Sequence, residues 1–211
     1  MAERIVLAMS GGSGAIYGIR LLERLLAAGR EVHLILSAAA AQVLRDELDL
    51  TTDELEEHSF LNEVRDVLGG YGFRPPDDPL PGRLICHDAH DWTAGVASGS
   101  FRTSGMAICP CSMNTIAAIA HGIATNLIQR AADVHLKERR TLVLVPRETP
   151  LSVVQLSNLR ACAAAGAVVL PAMPGWYHRP RTLADLVDFL VARILDHLDV
   201  PHALVRRWGE A

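Results

Sequence analysis

Between Leu7 and Gly18 the chain reads LAMSGGSGAIYG, and no other stretch narrows the possible folds as far. An apolar strand runs straight into small residues and then into a helical pattern. Glycine permits a tight reversal and close backbone approach, and the N–H groups that open a helix attract anions through hydrogen bonds and the helix dipole. The hydroxyls of Ser10 and Ser13 add donors. The spacing satisfies G-x-G-x-x-G only in part, so a phosphate cradle and a purely structural strand-to-helix turn both stay open here.

The remaining sequence repeats the strand-then-helix theme. Strand candidates fall at residues 4–9, 31–36, 84–87, 106–109, 141–145 and 167–171. Helical periodicity occupies 15–28, 38–47, 53–67, 114–121, 126–139, 151–165 and 183–198. Such alternation predicts an α/β protein with a parallel, doubly wound sheet. The strands TLVLVP and AVVLPA are apolar throughout, as expected where helices cover both faces. A chain of 211 residues, half of them apolar, suits one domain across 1–211 with a short tail from about 201. That tail carries Arg206, Arg207 and Trp208, which serve either subunit docking or packing on the same chain. Residues 69–82, GGYGFRPPDDPLPG, read as a long surface loop.

A formal charge of -4 argues against a general nucleic-acid or membrane-surface role. With no signal-peptide pattern and no bilayer-length apolar run, the expectation is a soluble cytoplasmic protein. Cys86, Cys109, Cys111 and Cys162 read as buried thiols, and the C-x-C pair Cys109 and Cys111 lacks the further ligands a zinc site requires. His87 and His90 in HDAHD likewise lack a third ligand at diagnostic spacing, so no metal is expected.

In an open parallel sheet, ligands bind beyond the carboxyl ends of the strands. After the second strand a dinucleotide-binding domain would place an acidic residue, but Ser37 and four alanines stand there, which disfavours NAD. Ser37 either caps the next helix or touches a ligand. After the fourth strand, Ser112, Met113, Asn114 and Thr115 form a second polar turn, suited to an anion or to ordinary N-capping. After the fifth, Arg147 and Glu148 stand between prolines as a cation and carboxylate at the ligand edge, or as a surface ion pair. Arg130 and Lys137, seven residues apart, share one helix face about 10 Å apart, where they either bracket a phosphate ester or pair with Asp133. Tyr177, His178 and Arg179 lie in the loop after the last strand. Arg193 borders the apolar stripe of the final helix and either meets an anion or snorkels. Glu47 by itself reads as a surface residue.

Taken together, GGSGAIYG, the 37–47 helix, ASGSF at 97–101, CPCSMNT, NLIQRAADVHLKERRTLVLVPRETP and PGWYHRP resemble the UbiX-type flavin prenyltransferase family in order and over nearly the whole chain. The resemblance implies a flavodoxin-like Rossmann three-layer α/β/α fold with a mainly parallel sheet, assembled as a dodecamer with active sites where subunits meet. It implies metal-independent transfer of a dimethylallyl group from dimethylallyl monophosphate to N5 and C6 of reduced FMN. The product, prenylated FMN, serves UbiD-type decarboxylases. By motif position, Gly11, Gly12, Ser13, Ser37, Ser112, Met113, Asn114, Thr115 and Arg147 correspond to FMN contacts. Arg130, Lys137, Tyr177 and Arg193 correspond to contacts with the prenyl phosphate. Ser13, Glu47 and Glu148 correspond to catalytic groups handling the leaving phosphate and protons, and Trp92 to an apolar wall. The turn reads GGSG where many relatives have GASG. The alternatives are a flavoprotein that only carries FMN and a flavoenzyme that oxidises a peptidyl or pantothenoyl cysteine. Direct decarboxylation of an aromatic acid is disfavoured.

Overall fold

The run RIVLAM forms β1 (Arg4–Met9), and its alternate residues decide the two layers of core. In the computed structural model, which describes residues 3–52, 57–74, 79–207 and 209, Ile5, Leu7 and Met9 pack on one face of the sheet. Val6 and Ala8 pack on the other.

The first face is covered by α1 (Ala15–Ala27), α2 (Ala38–Leu48), α3 (Glu57–Gly70) and α7 (Leu183–His197). The second is covered by α4 (Met113–Ala120), α5 (Leu127–Lys137) and, through Cys162, α6 (Val153–Ala164). Between them lie β2 (Glu31–Leu36), β3 (Arg83–His87), β4 (Gly105–Cys111), β5 (Thr141–Pro146) and β6 (Val168–Val169). All pairings are parallel, in the order β3-β2-β1-β4-β5-β6. The chain therefore reverses its winding between β1 and β4, where a doubly wound sheet opens a ligand crevice.

Several boundaries differ from the sequence expectation. Gly69 and Gly70 finish α3 instead of opening the following loop. β4 continues through Pro110 to Cys111, with an irregularity in its pairing to β5. The expected strand at 167–171 contracts to Val168–Val169 as regular strand, although the Leu170 amide still donates to the Leu144 carbonyl at 2.8 Å and the Ala172 amide to the Pro146 carbonyl at 2.9 Å, on either side of the edge residue Pro171. Residues 53–56 of the expected third helix, 75–78 of the loop and Trp208 of the tail lie outside the described residues. Among the described residues no helix is long and apolar enough to cross a membrane.

Candidate active site

The carboxyl ends of β1 and β4 are joined by a serine pair. Ser10 is buried at the end of β1, and its Oγ accepts the Ser112 amide at 2.8 Å. Ser112 in turn caps α4, its Oγ accepting the Thr115 amide at 3.3 Å and lying 3.1 Å from the Thr115 hydroxyl. Met113 and Asn114 thus open a helix whose first-turn amides have no intrahelical acceptor, and this start faces the reversal point of the sheet.

On the β1 side, Gly14 adopts φ 101°, the left-handed conformation that lets the turn enter α1. Gly11 approaches α2 so closely that a Cβ there would stand 2.7 Å from the Ala39 Cβ. Gly12 is buried against Pro110 and Cys111, and Ser13 is half-buried in the same turn. Ser37 is a helix cap, its Oγ accepting the Ala40 amide at 3.0 Å, at the end of β2 beside β1.

Glu47 is more than a surface residue. Its carboxylate accepts the Gly14 amide at 2.9 Å and the Ala15 amide at 2.8 Å, closing the α1 N-terminus with an internal anion. The glycine turn and the start of α4 therefore differ in kind: a side chain already neutralises the first, while the second remains open to a ligand anion.

Next along the edge, Pro146 pairs with Cys111 and carries the chain into the exposed Arg147 and Glu148. Glu148 accepts the Thr149 amide at 3.2 Å. Both residues line a cavity of about 280 Å³ with Leu151, Pro171 and Met173. The loop beyond β6 exposes Met173, Trp176 and Tyr177. The Tyr177 ring meets Phe189 of α7 edge-on at 5.6 Å. Trp92 is likewise exposed.

Of the three expected phosphate-binding cations, Lys137 and Arg193 do not join this cluster within one chain, while Arg130 is held in the first turns of α5. Arg130 donates to the Ala97 carbonyl at 3.0 Å and to Asp133 at 2.7 Å. Lys137 pairs at 2.5 Å with Glu138, not with Asp133, and stands beside Gly99, shortly before β5 begins at the opposite end of the sheet. A six-residue strand spans roughly 17 Å, so Lys137 and the Ser112 cap belong to opposite ends. α7 starts at Leu183, which shares a cavity with Glu47, and Arg193 lies about 15 Å along that helix. There it pairs with Asp196 at 2.9 Å, a carboxylate that also receives His202 and Arg207.

Ala39 and Asp196 are structural supports that the sequence did not single out, and Ser10, expected as a donor, also accepts the Ser112 amide. Only the i,i+3 spacing of Arg193 and Asp196 carries a local signal. Burial pushes the Cys109 and Cys111 thiols far above their usual range, leaving them protonated core residues. Among the described residues no group of three His, Cys, Asp or Glu side chains could hold a metal ion.

A parallel sheet in this order, with an anion-receptive helix start at its reversal point, defines a doubly wound, nucleotide-binding type of α/β unit. The Flavoprotein family model matches residues 1–195. Flavin prenyltransferase UbiX of Alkalihalophilus pseudofirmus is 46% identical over 214 residues, covering 100% of both chains. The crystal structure of AnUbiX (PadA1) in complex with FMN and dimethylallyl pyrophosphate superposes with a TM-score of 0.81 at 39% identity, again covering 100% of each chain. A dodecameric FMN-dependent UbiX-like decarboxylase from Escherichia coli O157:H7 gives 0.79 at 38% identity, covering 98% of this chain and 100% of that one. The chain belongs to the UbiX-type flavin prenyltransferase family.

Proposed function

We propose that this protein transfers a dimethylallyl group from dimethylallyl monophosphate to N5 and C6 of reduced FMN. The observation that carries this reading is the single sheet edge that gathers the open α4 start, the glycine turn and the Arg147–Glu148 pair. The groove fits FMN: Ser112–Thr115 supply N–H and hydroxyl donors for a phosphate, and close packing of Gly11 and Gly12 leaves backbone at the groove wall. Strand spacing of about 4.8 Å places the ends of β5 and β6 about 10–15 Å from β1, room for a flavin ring system beyond its phosphate.

Reduced FMN supplies the nucleophilic ring atoms when bound. Ser112, Met113, Asn114 and Thr115 hold its phosphate, with Ser13 and Ser37 along the groove and Arg147 beside the ring. Arg130, Lys137 and Arg193, with a hydrogen bond from Tyr177, stabilise negative charge on the departing donor phosphate. Glu148 and Ser13 handle the proton of that phosphate, and Glu47 accepts a proton released from the alkylated ring. Because Lys137 and Arg193 lie away from the flavin edge of their own chain, the complete site draws them from neighbouring copies. The exposed Val153, Val154, Met173 and Trp176 give those copies apolar surface to cover, consistent with a dodecamer. The prenylated product serves a UbiD-type decarboxylase in the cytoplasm.

The test is anaerobic incubation with reduced FMN and dimethylallyl monophosphate, followed by mass spectrometry of the released flavin. Gain of one C5 prenyl unit supports the reading, and parallel reactions with the diphosphate define donor preference. FMN bound but unchanged in mass with both donors would replace the transferase reading with that of a carrier or another flavoenzyme.

A further inference from the structure

The HDAHD and ASGSF motifs meet in a part of the fold that the proposed chemistry does not use. Phe101, the last residue of ASGSF, is gripped from two directions. The Arg4 guanidinium lies over its ring at 4.6 Å, and the His33 ring meets it edge-on at 5.1 Å and 85°. One carboxylate ties the two jaws together. Glu31 accepts from Arg4 Nε at 2.8 Å, and its Oε1 lies 3.2 Å from His33 Nε2.

This arrangement settles the imidazole tautomers chemically. With Nε2–H of His33 donating to Glu31, its Nδ1 accepts from His87 Nε2 across 2.8 Å, and the two rings stack at 5.2 Å. His33 is buried at the heart of the clamp, and β1, β2 and β3 each contribute to it.

The clamp packs against a turn that touches a proposed substrate cation. Gly95 opens the short 3-10 turn Gly95–Ala97, where a Cβ would lie 2.7 Å from Phe101 Cδ2, so the ring is packed directly on turn backbone. The Ala97 carbonyl ending that turn accepts Arg130 Nε at 3.0 Å. The Phe101 carbonyl accepts Arg140 at 2.7 Å, joining the same segment to the connection between α5 and β5. The contacts from β-sheet to guanidinium are continuous: Glu31 holds Arg4 and His33, these grip Phe101, Phe101 packs on the turn, and the turn's Ala97 carbonyl, together with Asp133, holds Arg130.

We propose that Phe101, clamped by Arg4 and His33, is a positioning residue that sets the Arg130 guanidinium for the donor phosphate. This rests on the prenyltransferase reading. Its distinguishing consequence is a selective effect on the donor, because the clamp contacts Arg130's support and lies apart from the Ser10–Ser112 cradle.

The experiment compares the full-length protein with Phe101→Leu and Phe101→Tyr. Phe101→Leu loses the ring that both jaws grip, and Phe101→Tyr retains it. The expected result is a donor kcat/KM lowered about three- to tenfold in Phe101→Leu, with FMN affinity within about twofold, and near wild-type values in Phe101→Tyr. An unchanged donor kcat/KM in Phe101→Leu, the same loss in Phe101→Tyr, or matching losses of FMN and donor affinity would overturn it.

Amide hydrogen exchange across 95–101 supplies a readout independent of turnover. Phe101→Leu should speed exchange there by about tenfold or more while Phe101→Tyr remains protected. Unchanged exchange would remove the clamp from the argument even if wild-type turnover is observed. If wild type makes no prenylated flavin, the functional reading fails; titration of the FMN-loaded protein with dimethylallyl monophosphate then tests the positioning claim, and equal affinity in wild type and Phe101→Leu would overturn it. Absence of donor binding in wild type would overturn Arg130's role in positioning that phosphate, whatever the exchange result.

Discussion

The Glu47 carboxylate accepts the Gly14 amide at 2.9 Å, so α2 supplies the anion that neutralises the start of α1. A second bond, to Ala15, makes the contact a cap across 32 residues of sequence. Glu47→Gln keeps one carbonyl acceptor but removes the charge that complements the helix dipole. Because the residue is exposed, the expected cost is only about 0.5–1 kcal/mol in chemical denaturation. FMN affinity should change little, since the open anion site lies at α4. Turnover should fall at least about tenfold if Glu47 also moves a proton. Unchanged turnover would confine Glu47 to the cap.

Gly11 and Gly12 adjoin in sequence, yet the structure separates their tolerances. A Cβ at Gly11 would meet the Ala39 Cβ at 2.7 Å, forcing α2 or the turn to shift. Gly11→Ala is expected to cost about 1–3 kcal/mol and weaken FMN binding. At Gly12 the nearest atoms, in Cys111 and Pro110, stand at 3.4 Å, and its φ is not positive. Gly12→Ala should preserve FMN binding and raise stability by up to about 1 kcal/mol through the unfolded chain's reduced freedom. Urea denaturation and flavin fluorescence titration on both variants check this; equal effects would show that the Ala39 contact does not distinguish them.

The fold was legible where sequence pattern and hydrogen bonding coincide. The apolar runs at 4–9 and 31–36 become β1 and β2 with those bounds, and the glycine-rich turn follows β1. Pattern alone was weaker for β6, where Pro171 interrupts an apolar run, and for Gly69 and Gly70, whose low helix propensity is overridden by the last turn of α3. The cradle residues were visible because each directly follows a strand. Glu47's partner was not, because its contact with Gly14 depends on how α2 packs against α1 rather than on local spacing. The sequence placed Arg130 and Lys137 on one helix, but could not reveal that Ala97 and Glu138 hold them within the chain.

Acid stability should depend on His135, which is buried on α5. Its Nδ1 donates to the Ala131 carbonyl at 2.7 Å, and Nε2 lies 2.8 Å from the Thr103 hydroxyl. Burial, aided by nearby Arg140, lowers its pKa from 6.5 to about 4. The unfolded chain therefore binds a proton before the folded chain does. The contribution to stability is present at neutral pH, falls between about pH 6.5 and 4, and amounts to about 3 kcal/mol across that window. His33 and His87, whose pKa values are also lowered chiefly by burial, act in the same direction. His135→Gln should flatten the dependence above pH 4 in a urea-denaturation series. An unaltered slope would exclude His135 as its source.

Glu148 and Lys137 offer a test of the shared site. Glu148 stands after β5, whereas Lys137 precedes the opposite end of that strand. Glu148→Gln should retain FMN and lose at least about a hundredfold in turnover, and Lys137→Ala should lose donor affinity. If one copy supplies Glu148 and another supplies Lys137, an equal random mixture of the two variant chains contains about one quarter of sites with both native residues. Those sites take their native Glu148 from a Lys137→Ala chain and their native Lys137 from a Glu148→Gln chain. Co-expressed, differently tagged chains purified as mixed assemblies should therefore recover activity that neither parent assembly possesses. Mixed assemblies with no recovery would place both groups in the same chain's site, and the required approach would have to come from a rearrangement within that chain.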